Sequence, residues 1–255
     1  MRILRCVFLD LHNTTHHKTH MTVQEIMDDL KAHGSDSIKK ILLKHGVKEP
    51  FFGVKIEYMK PIQKRVKMDY QLAKDLYATG NADAMYLAGL IADDERMTRD
   101  DLQIWAKQAV SNNISEYTVP WVTAGSRNGF ELALEWIDSA EEYIAACGWS
   151  TLSNIVSMKP DDELDMAELK RLLDRVFKTI HTSANRVRST MNAFLIALGT
   201  YVAPVSEEVI ATAKNIEAVL VEKEGTACKV PDAVEYIMKA KNKGALGKKK
   251  KTVKC

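Results

Sequence analysis

Residues 129–156 read GFELALEWIDSAEEYIAACGWSTLSNIV, and this stretch decides the fold class. Apolar residues recur at helical spacing on both sides of Asp138-Ser139, a typical helix-start signal, so the pattern predicts two short helices joined by a turn. The second helix contains the small residues AACG at 145–148, which allow another helix backbone to approach closely. A pair of this kind cannot bury its apolar stripe alone and needs a similar neighbour.

The neighbour lies about 60 residues earlier in the chain. Residues 72–91 read LAKDLYATGNADAMYLAGLI, and with a one-residue gap Gly89 takes the place of Gly148. A looser copy, VRSTMNAFLIALGTYV, occupies residues 187–202. Repeated helical hairpins are the signature of an α-solenoid, whereas chance similarity between amphipathic helices is the alternative. No β-alternating runs stand out, so we expect an all-α protein.

The charge of the chain is unevenly distributed. The formal net charge is +2, but residues 239–255 contribute eight lysines and no acid, so residues 1–238 carry −6. A basic end on an acidic body suggests a polyanionic partner, because lysines gain affinity by displacing counterions from phosphates. The alternative is a solvated tail without a partner. We predict that residues 244–255 form a disordered basic tail.

The beginning of the chain is predicted to be a disordered leader, residues 1–20, and the folded domain to span residues 21–243. Thr22-x-x-Glu25 fits a capping box and marks the first convincing helix start. His16 and His20 of the leader are one helical turn apart and could bind a metal, but the segment has no apolar periodicity to fold it, so we expect no metal site. The four cysteines are widely spaced, which is typical of a reduced, cytoplasmic protein.

Several function classes lack support. No apolar stretch approaches the roughly 18 residues that would span a membrane. The chain contains no G-x-G-x-x-G, Walker, H-E-x-x-H or G-x-S-x-G motif, so nucleotide hydrolysis, zinc proteolysis and α/β-hydrolase chemistry are unsupported. We expect no cofactor, no metal and no membrane partner, and a monomeric protein.

Three features are candidates for a functional site. Glu116 lies among apolar and aromatic residues in ISEYTVPW (114–121), as a partly buried acid would, although local capping or pairing is the alternative. Arg186 and Arg188 begin a predicted helix, where cations oppose the helix dipole and invite an anionic ligand, unless water resolves the conflict. A further helix carries a basic face, which suits either phosphate binding or simple solvation. This face comprises Lys55, Lys60, Lys64, Arg65 and Lys67.

Residues 22–243 resemble the AlkD-like DNA alkylation repair proteins, and four motifs carry this resemblance. The motifs are FFGV (51–54), an ordered loop before the basic helix; MYLAGL (85–90); SEYTVPW (115–121); and Val187-Arg188 opening the helix that contains 194–201. This resemblance implies an α-solenoid of HEAT-like helical hairpin repeats, an ARM/HEAT-type superhelix. It also implies duplex DNA as the partner.

The family's activity is the removal of N3- or N7-alkylated purines from DNA. Such a base is already positively charged, so the enzyme needs a carboxylate that stabilises the oxocarbenium sugar more than it needs an acid for the leaving group. In active members this carboxylate is an aspartate one helical turn after a tryptophan. An arginine and a second tryptophan come from later repeats. Alkylated duplex DNA is therefore the partner that the resemblance implies.

This sequence departs from that pattern. Glu116 falls at the carboxylate position, but Asn112 replaces the tryptophan and the arginine position falls near Ala145 or Ala146. We consider substitutes from elsewhere in the chain: Trp121, Trp149 and Phe194 for the aromatic surface, and Arg127, Arg186 or Arg188 for the positive charge.

Three hypotheses follow. The first is a DNA glycosylase-like repair protein with Glu116 as catalytic residue. The second is a DNA-binding scaffold of the same fold without base excision, which the missing tryptophan and arginine favour. The third is a HEAT-type protein-interaction module whose acidic body sets the partner. The first two predict a basic stripe on the concave face, and the third does not.

Overall fold

The computed structural model describes residues 21–109, 111–222 and 230–255, and the predicted leader lies outside them. Within these ranges the chain is helical, without strands. The α-helices are α1 (Val23–Ala32), α2 (Asp36–Lys44), α3 (Ile56–Val66), α4 (Tyr70–Ala78), α5 (Ala82–Ile91), α6 (Arg99–Gln108), α7 (Val119–Gly125), α8 (Gly129–Trp136), α9 (Glu142–Met158), α10 (Met166–Thr179), α11 (Asn185–Tyr201), α12 (Ser206–Ile216) and α13 (Ala233–Asn242). A π-helical turn, Ile114–Thr118, precedes α7.

Helices α4 to α13 follow one another as hairpins, and α5, α7, α9, α11 and α13 are the second helices of these hairpins. They pack on one another in chain order, with α9 between α7 and α11. We call these five helices the second-helix layer. Because second helices of successive hairpins run in the same direction, their C-terminal ends share one edge of the layer. The predicted all-α solenoid of hairpin repeats is confirmed.

Helix α9, from the stretch that decides the fold class, joins two apolar cores. Its Cys147 belongs to the core of the first half of the solenoid, together with Ile26 and Trp105. Its neighbour Trp149 belongs to the core of the second half, which extends to Ile237. Residues two positions apart on one helix therefore connect the two halves.

The matched glycines lie at close helix contacts. A Cβ on Gly148 would lie 2.8 Å from the backbone oxygen of Ala133, and one on Gly89 would lie 2.5 Å from Cγ2 of Thr118. Both distances are shorter than real Cβ contacts. The predicted role of small residues in bringing helices together is confirmed.

Helix starts follow local hydrogen bonds. The capping box at Thr22 is present: its Oγ1 accepts from the Glu25 N–H at 3.2 Å, and Glu25 returns a bond to the Thr22 N–H at 2.7 Å. The turn predicted at Asp138-Ser139 is present, but the next helix does not start there, because Ser139 Oγ accepts from the Glu141 N–H at 3.1 Å and extends the turn. Helix α9 begins after that turn, at Glu142.

The FFGV loop is ordered, as predicted. Phe51 is buried, and the Asp83 carboxylate accepts hydrogen bonds from the backbone N–H groups of the next three residues at 2.6, 3.0 and 3.3 Å. Gly53 has φ +79°, and a Cβ there would lie 2.7 Å from the Ser35 backbone oxygen. Only glycine fits this position, because the conformation and the contact both exclude a side chain.

Residues 244–255, which we call the C-terminal strap, lie against the body of the protein. The Gly247 N–H donates to the Thr200 oxygen and the Lys250 N–H to the Ser157 oxygen, both at 2.8 Å. Val253 packs against the first core. The composition of this segment predicts a disordered tail, but the structure places it in specific backbone contacts with helix ends that are distant in sequence.

In the described part of the chain, no single helix is both long and apolar enough to cross a membrane. By length and composition alone, one pair of helices, Asn185–Tyr201 and Ala203–Ile216, is long and apolar enough when the two are taken together, but the pair is bent by 107°. The apolar side chains of this pair are buried in the second core.

Candidate nucleic-acid interface

Glu116 occupies the π-helical turn between α6 and α7. Pro120 has no N–H to donate to the Glu116 carbonyl four residues earlier, so a regular α-helical hydrogen bond is impossible there. Single π turns of this kind frequently occur at functional sites. The Glu116 side chain is only 7% exposed, in agreement with the predicted buried acid.

The carboxylate of Glu116 is paired with Arg186 in a bidentate geometry. Arg186 Nε donates to Oε1 at 2.6 Å and Nη2 donates to Oε2 at 2.5 Å. Burial disfavours the charged guanidinium, but the hydrogen bonds and charge of Glu116 outweigh it and raise the pKa of Arg186. A bidentate pair of this kind is among the strongest polar contacts in proteins.

The ion pair between Glu116 and Arg186 connects two elements that both pack on α9. Glu116 precedes α7 and Arg186 lies in the first turn of α11, while α9 packs on both of these elements. Burial is the main cause of the raised pKa of the Cys147 thiol, and the charge of Glu116 raises it further. The negative charge is therefore close to the small-residue segment of α9. Ala145 and Ala146 are both buried there, at the position where the resemblance implies an arginine.

The arginines that begin α11 have different surroundings. The N–H of Arg186 donates to Glu142 Oε1 at 2.6 Å, so two acids of this chain supply the anion that the sequence predicts as a ligand. Arg188 is half-buried, and its Nε has no hydrogen-bond partner among the described residues. Among the described residues, acids of this chain therefore hold Arg186 but not Arg188.

The three aromatic residues predicted to contact DNA are buried in the core. Trp121 is 4% exposed, and Trp149 and Phe194 are fully buried with ring centroids 5.3 Å apart. The prediction of an aromatic surface from these residues is wrong, because large rings gain more from burial: Trp121 on α7 lies in the first core, and Trp149 on α9 and Phe194 on α11 lie in the second.

Two tyrosines, Tyr117 and Tyr86, are more accessible to solvent than the buried tryptophans. Tyr117, next to Glu116, is 53% exposed and lies edge-on to Trp121 at 6.2 Å. Tyr86 on α5 is half-buried and makes a similar contact with Trp121 at 5.3 Å. The sequence contained a signal for Tyr117, because it interrupts the apolar residues of ISEYTVPW with a polar ring.

The predicted lysines all lie on the exposed side of α3. Lys55 forms an ion pair with Glu57 at 3.3 Å, and Lys60 donates to Gln63 Oε1 at 3.2 Å and to the Cys255 backbone oxygen. Lys64 is exposed.

The predicted arginines are divided between two edges. Arg127 is exposed two residues after α7 ends, at the C-terminal edge of the second-helix layer. Arg186 and Arg188 begin α11 at the opposite edge, so the arginines do not form a single cluster. The described residues contain no group of three or more histidines, cysteines or acids that could hold a metal ion.

Comparisons with known proteins agree with this architecture. A family model described as DNA alkylation repair enzyme matches residues 26–237. Two relatives are the uncharacterized protein Lin0241 of Listeria innocua, 30% identical, and the uncharacterized protein Lmo0209 of Listeria monocytogenes, 31% identical. Each alignment covers 88% of this chain and 99% of the relative.

A solved structure is also similar, with a TM-score of 0.85 and 35% identity over 92% of this chain and 100% of the other. It is described as a member of a new family of proteins related to the HEAT-like repeat DNA glycosylases with affinity for branched DNA structures.

Proposed function

Because this chain belongs to the DNA alkylation repair enzyme family, we propose that it is a DNA-binding member whose Glu116–Arg186 pair prevents efficient excision of alkylated bases. The observation that carries the proposal is the bidentate pair on the buried carboxylate. The pair favours a DNA-binding scaffold over a glycosylase. Excision of alkylated bases remains the second candidate function, because Glu116 falls at the position where the resemblance implies the carboxylate.

The physical reason is that a paired carboxylate stabilises an oxocarbenium sugar poorly. Excision of a cationic base requires a negative charge beside the developing positive charge of the sugar. Both oxygens of Glu116 already accept from Arg186, and the guanidinium cancels most of the carboxylate's field. Drawing Arg186 away from the buried carboxylate costs about 2–3 kcal/mol, less than for a fully buried pair because the Arg186 side chain is 25% exposed, and this cost would be added to the activation barrier.

DNA binding is supported by the exposed cations. We expect phosphate contacts from Arg188 and from residues distributed over the surface, namely Lys55, Lys60, Lys64 and Arg127. The affinity of the related structure's family for branched DNA leads us to propose that branched DNA is a better ligand than linear duplex for this chain as well. We expect the protein to act as a monomer in the cytoplasm.

The excision experiment measures release of 7-methylguanine and 3-methyladenine from alkylated duplex DNA. We expect the wild-type chain and Glu116→Gln to release both bases at the same rate as buffer alone. Release by the wild-type chain but not by Glu116→Gln would instead establish a glycosylase that uses Glu116.

The binding experiment compares a four-way DNA junction with a linear duplex of equal length over a series of salt concentrations. We expect salt-sensitive binding of both, with higher affinity for the junction. Equal affinities would remove the branched preference, and the absence of binding would contradict the proposal as a whole.

A further inference from the structure

The C-terminal strap follows the edge where the second helices end. Beginning beside α11, it reaches the end of α9 through Lys249, whose Nζ donates to the Val156 oxygen at 3.0 Å. It then reaches the end of α5 through Lys254, whose Nζ donates to the Ala92 oxygen at 3.0 Å. The strap therefore runs opposite to the order of the repeats.

The length of the strap matches the spacing of the helices. Packed helices lie about 8–10 Å apart. An extended chain covers about 3.3 Å per residue, so the three residues from Gly247 to Lys250 span about 10 Å, or one helix spacing. The five residues from Lys249 to Lys254 span about 17 Å on the same basis, which takes the strap past α7 to α5.

Two inward lysines fasten the strap. Lys249 forms an ion pair with Asp161 at 2.8 Å and Lys254 with Asp94 at 2.6 Å, and these lysine side chains are 19% and 17% exposed. Burial raises the pKa of Asp94 to about 6, against the effect of Lys254, so the carboxylate is ionised at neutral pH. Lysines are also favourable at helix C-terminal ends, where carbonyl groups lack partners and the dipole is negative.

The other lysines of the strap face solvent. Lys248, Lys250 and Lys251 are exposed, and Lys250 Nζ lies 5.2 Å from the centroid of the Tyr201 ring. Fastening the strap thus fixes a row of positive charges along one edge of an otherwise acidic body. Arg127, which follows α7, lies at the same edge.

We propose that the docked strap is a phosphate-binding surface, in which Lys248, Lys250 and Lys251 contact the backbone of DNA. The proposal rests on the proposed function, because it assigns part of the DNA affinity to this edge. A docked strap holds its lysines in place before DNA arrives, so binding does not require the ordering of a free tail.

The first experiment compares two variants of the full chain that lose the same charge. Lys248→Gln/Lys250→Gln/Lys251→Gln removes the outward lysines of the strap. Lys170→Gln/Arg171→Gln/Lys178→Gln removes three exposed cations from α10. Affinities for a four-way DNA junction are measured between 50 and 200 mM salt.

The strap variant is expected to bind about 10- to 100-fold more weakly at physiological salt, and its log–log salt slope to fall by about 2–3, since each phosphate contact contributes about 0.9. The α10 variant should lose far less. Equal losses in the two variants would overturn the proposal, as would tighter binding by the strap variant, which would mean that the strap shields DNA-binding groups. If the wild-type chain bound no DNA, the proposed function would fail together with this inference.

The second experiment separates a docked strap from a flexible tail. Asp94→Asn/Asp161→Asn keeps every lysine and removes two negative charges, while it weakens both fasteners. A flexible tail would bind DNA equally well or more tightly after this change. If the strap acts as a docked surface, this variant should bind DNA at least several-fold more weakly than the wild-type chain and should be cleaved faster by trypsin at residues 248–251. Unchanged cleavage and affinity would contradict the proposal. Thermal unfolding verifies that the variant is folded.

Discussion

Glu116 is a residue whose environment opposes the role that its position suggests. Catalysis in this fold asks for a carboxylate with a free face toward the sugar, whereas Glu116 has both oxygens bound to one guanidinium. The absence of an arginine on α9 does not leave the acid without a cation, because Arg186 reaches it from α11. The cation that the resemblance places on α9 is supplied in this chain from α11, where it binds the carboxylate itself.

The strength of this pair is measurable in a double-mutant cycle. Arg186→Gln should reduce the free energy of unfolding by about 2–3 kcal/mol, since it removes both guanidinium hydrogen bonds from a largely buried acid. The double variant Glu116→Gln/Arg186→Gln should be less destabilised than the sum of the single variants. The measurement is urea unfolding at pH 7.

The matched control is Lys178→Gln on the exposed pair with Asp174, which should cost less than about 1 kcal/mol. A coupling energy below about 0.5 kcal/mol between Glu116 and Arg186 would show that Arg186 does not neutralise the carboxylate. That result would restore the glycosylase as the favoured reading of the site.

The sequence located Glu116 and offered Arg186 as one of three candidate cations, but it did not predict that the two residues are paired, for a physical reason. A buried acid is signalled locally, by the apolar and aromatic residues on either side of it. The pairing with Arg186 connects residues 70 positions apart and depends on how α11 packs over α9. The local sequence pattern therefore indicates that the acid is buried, whereas only the packed solenoid shows which residue pairs with it.

At the scale of the helices, small residues determine how closely α9 approaches α8. Gly148→Ala should destabilise the protein by about 1–3 kcal/mol, because its Cβ would lie 2.8 Å from a backbone oxygen that cannot rotate away. Without that contact, alanine would stabilise a helix interior relative to glycine. Asn154→Ala on the same helix should change stability by less than about 0.5 kcal/mol.

Thermal unfolding distinguishes these outcomes, and a stabilised Gly148→Ala variant would mean that the two helices are further apart than described.

The glycine matches and the Thr22 capping box were predictable from sequence, since each rests on neighbours within a few residues or on the repeat itself. The roles of Trp149 and Phe194 were not. A tryptophan suits a core and a DNA surface equally well by composition, and only packing decides between them.

The whole molecule differs from an ideal solenoid because the strap connects repeats that are not neighbours. In a simple repeat protein each hairpin interacts only with the next, so stability is approximately a sum of nearest-neighbour contributions. Here the strap joins the ends of α11, α9 and α5, and its end contacts Lys60 on α3. Sequence composition pointed to disorder, because the partners of the strap are carbonyl groups at distant helix ends, which leave no mark in the lysine run itself.

Deletion of residues 244–255 should therefore lower the thermal midpoint by about 5 °C, equivalent to about 2 kcal/mol for a chain of this size. The loss should also reduce cooperativity, since the cores on either side of α9 would then be joined by fewer contacts and unfold in a broader transition. Lys248→Gln/Lys250→Gln/Lys251→Gln is the control, because it keeps the fasteners and should keep the midpoint within about 1 °C. Calorimetry of the three proteins separates a structural strap from a solvated tail, since a tail could be removed without any change in the transition.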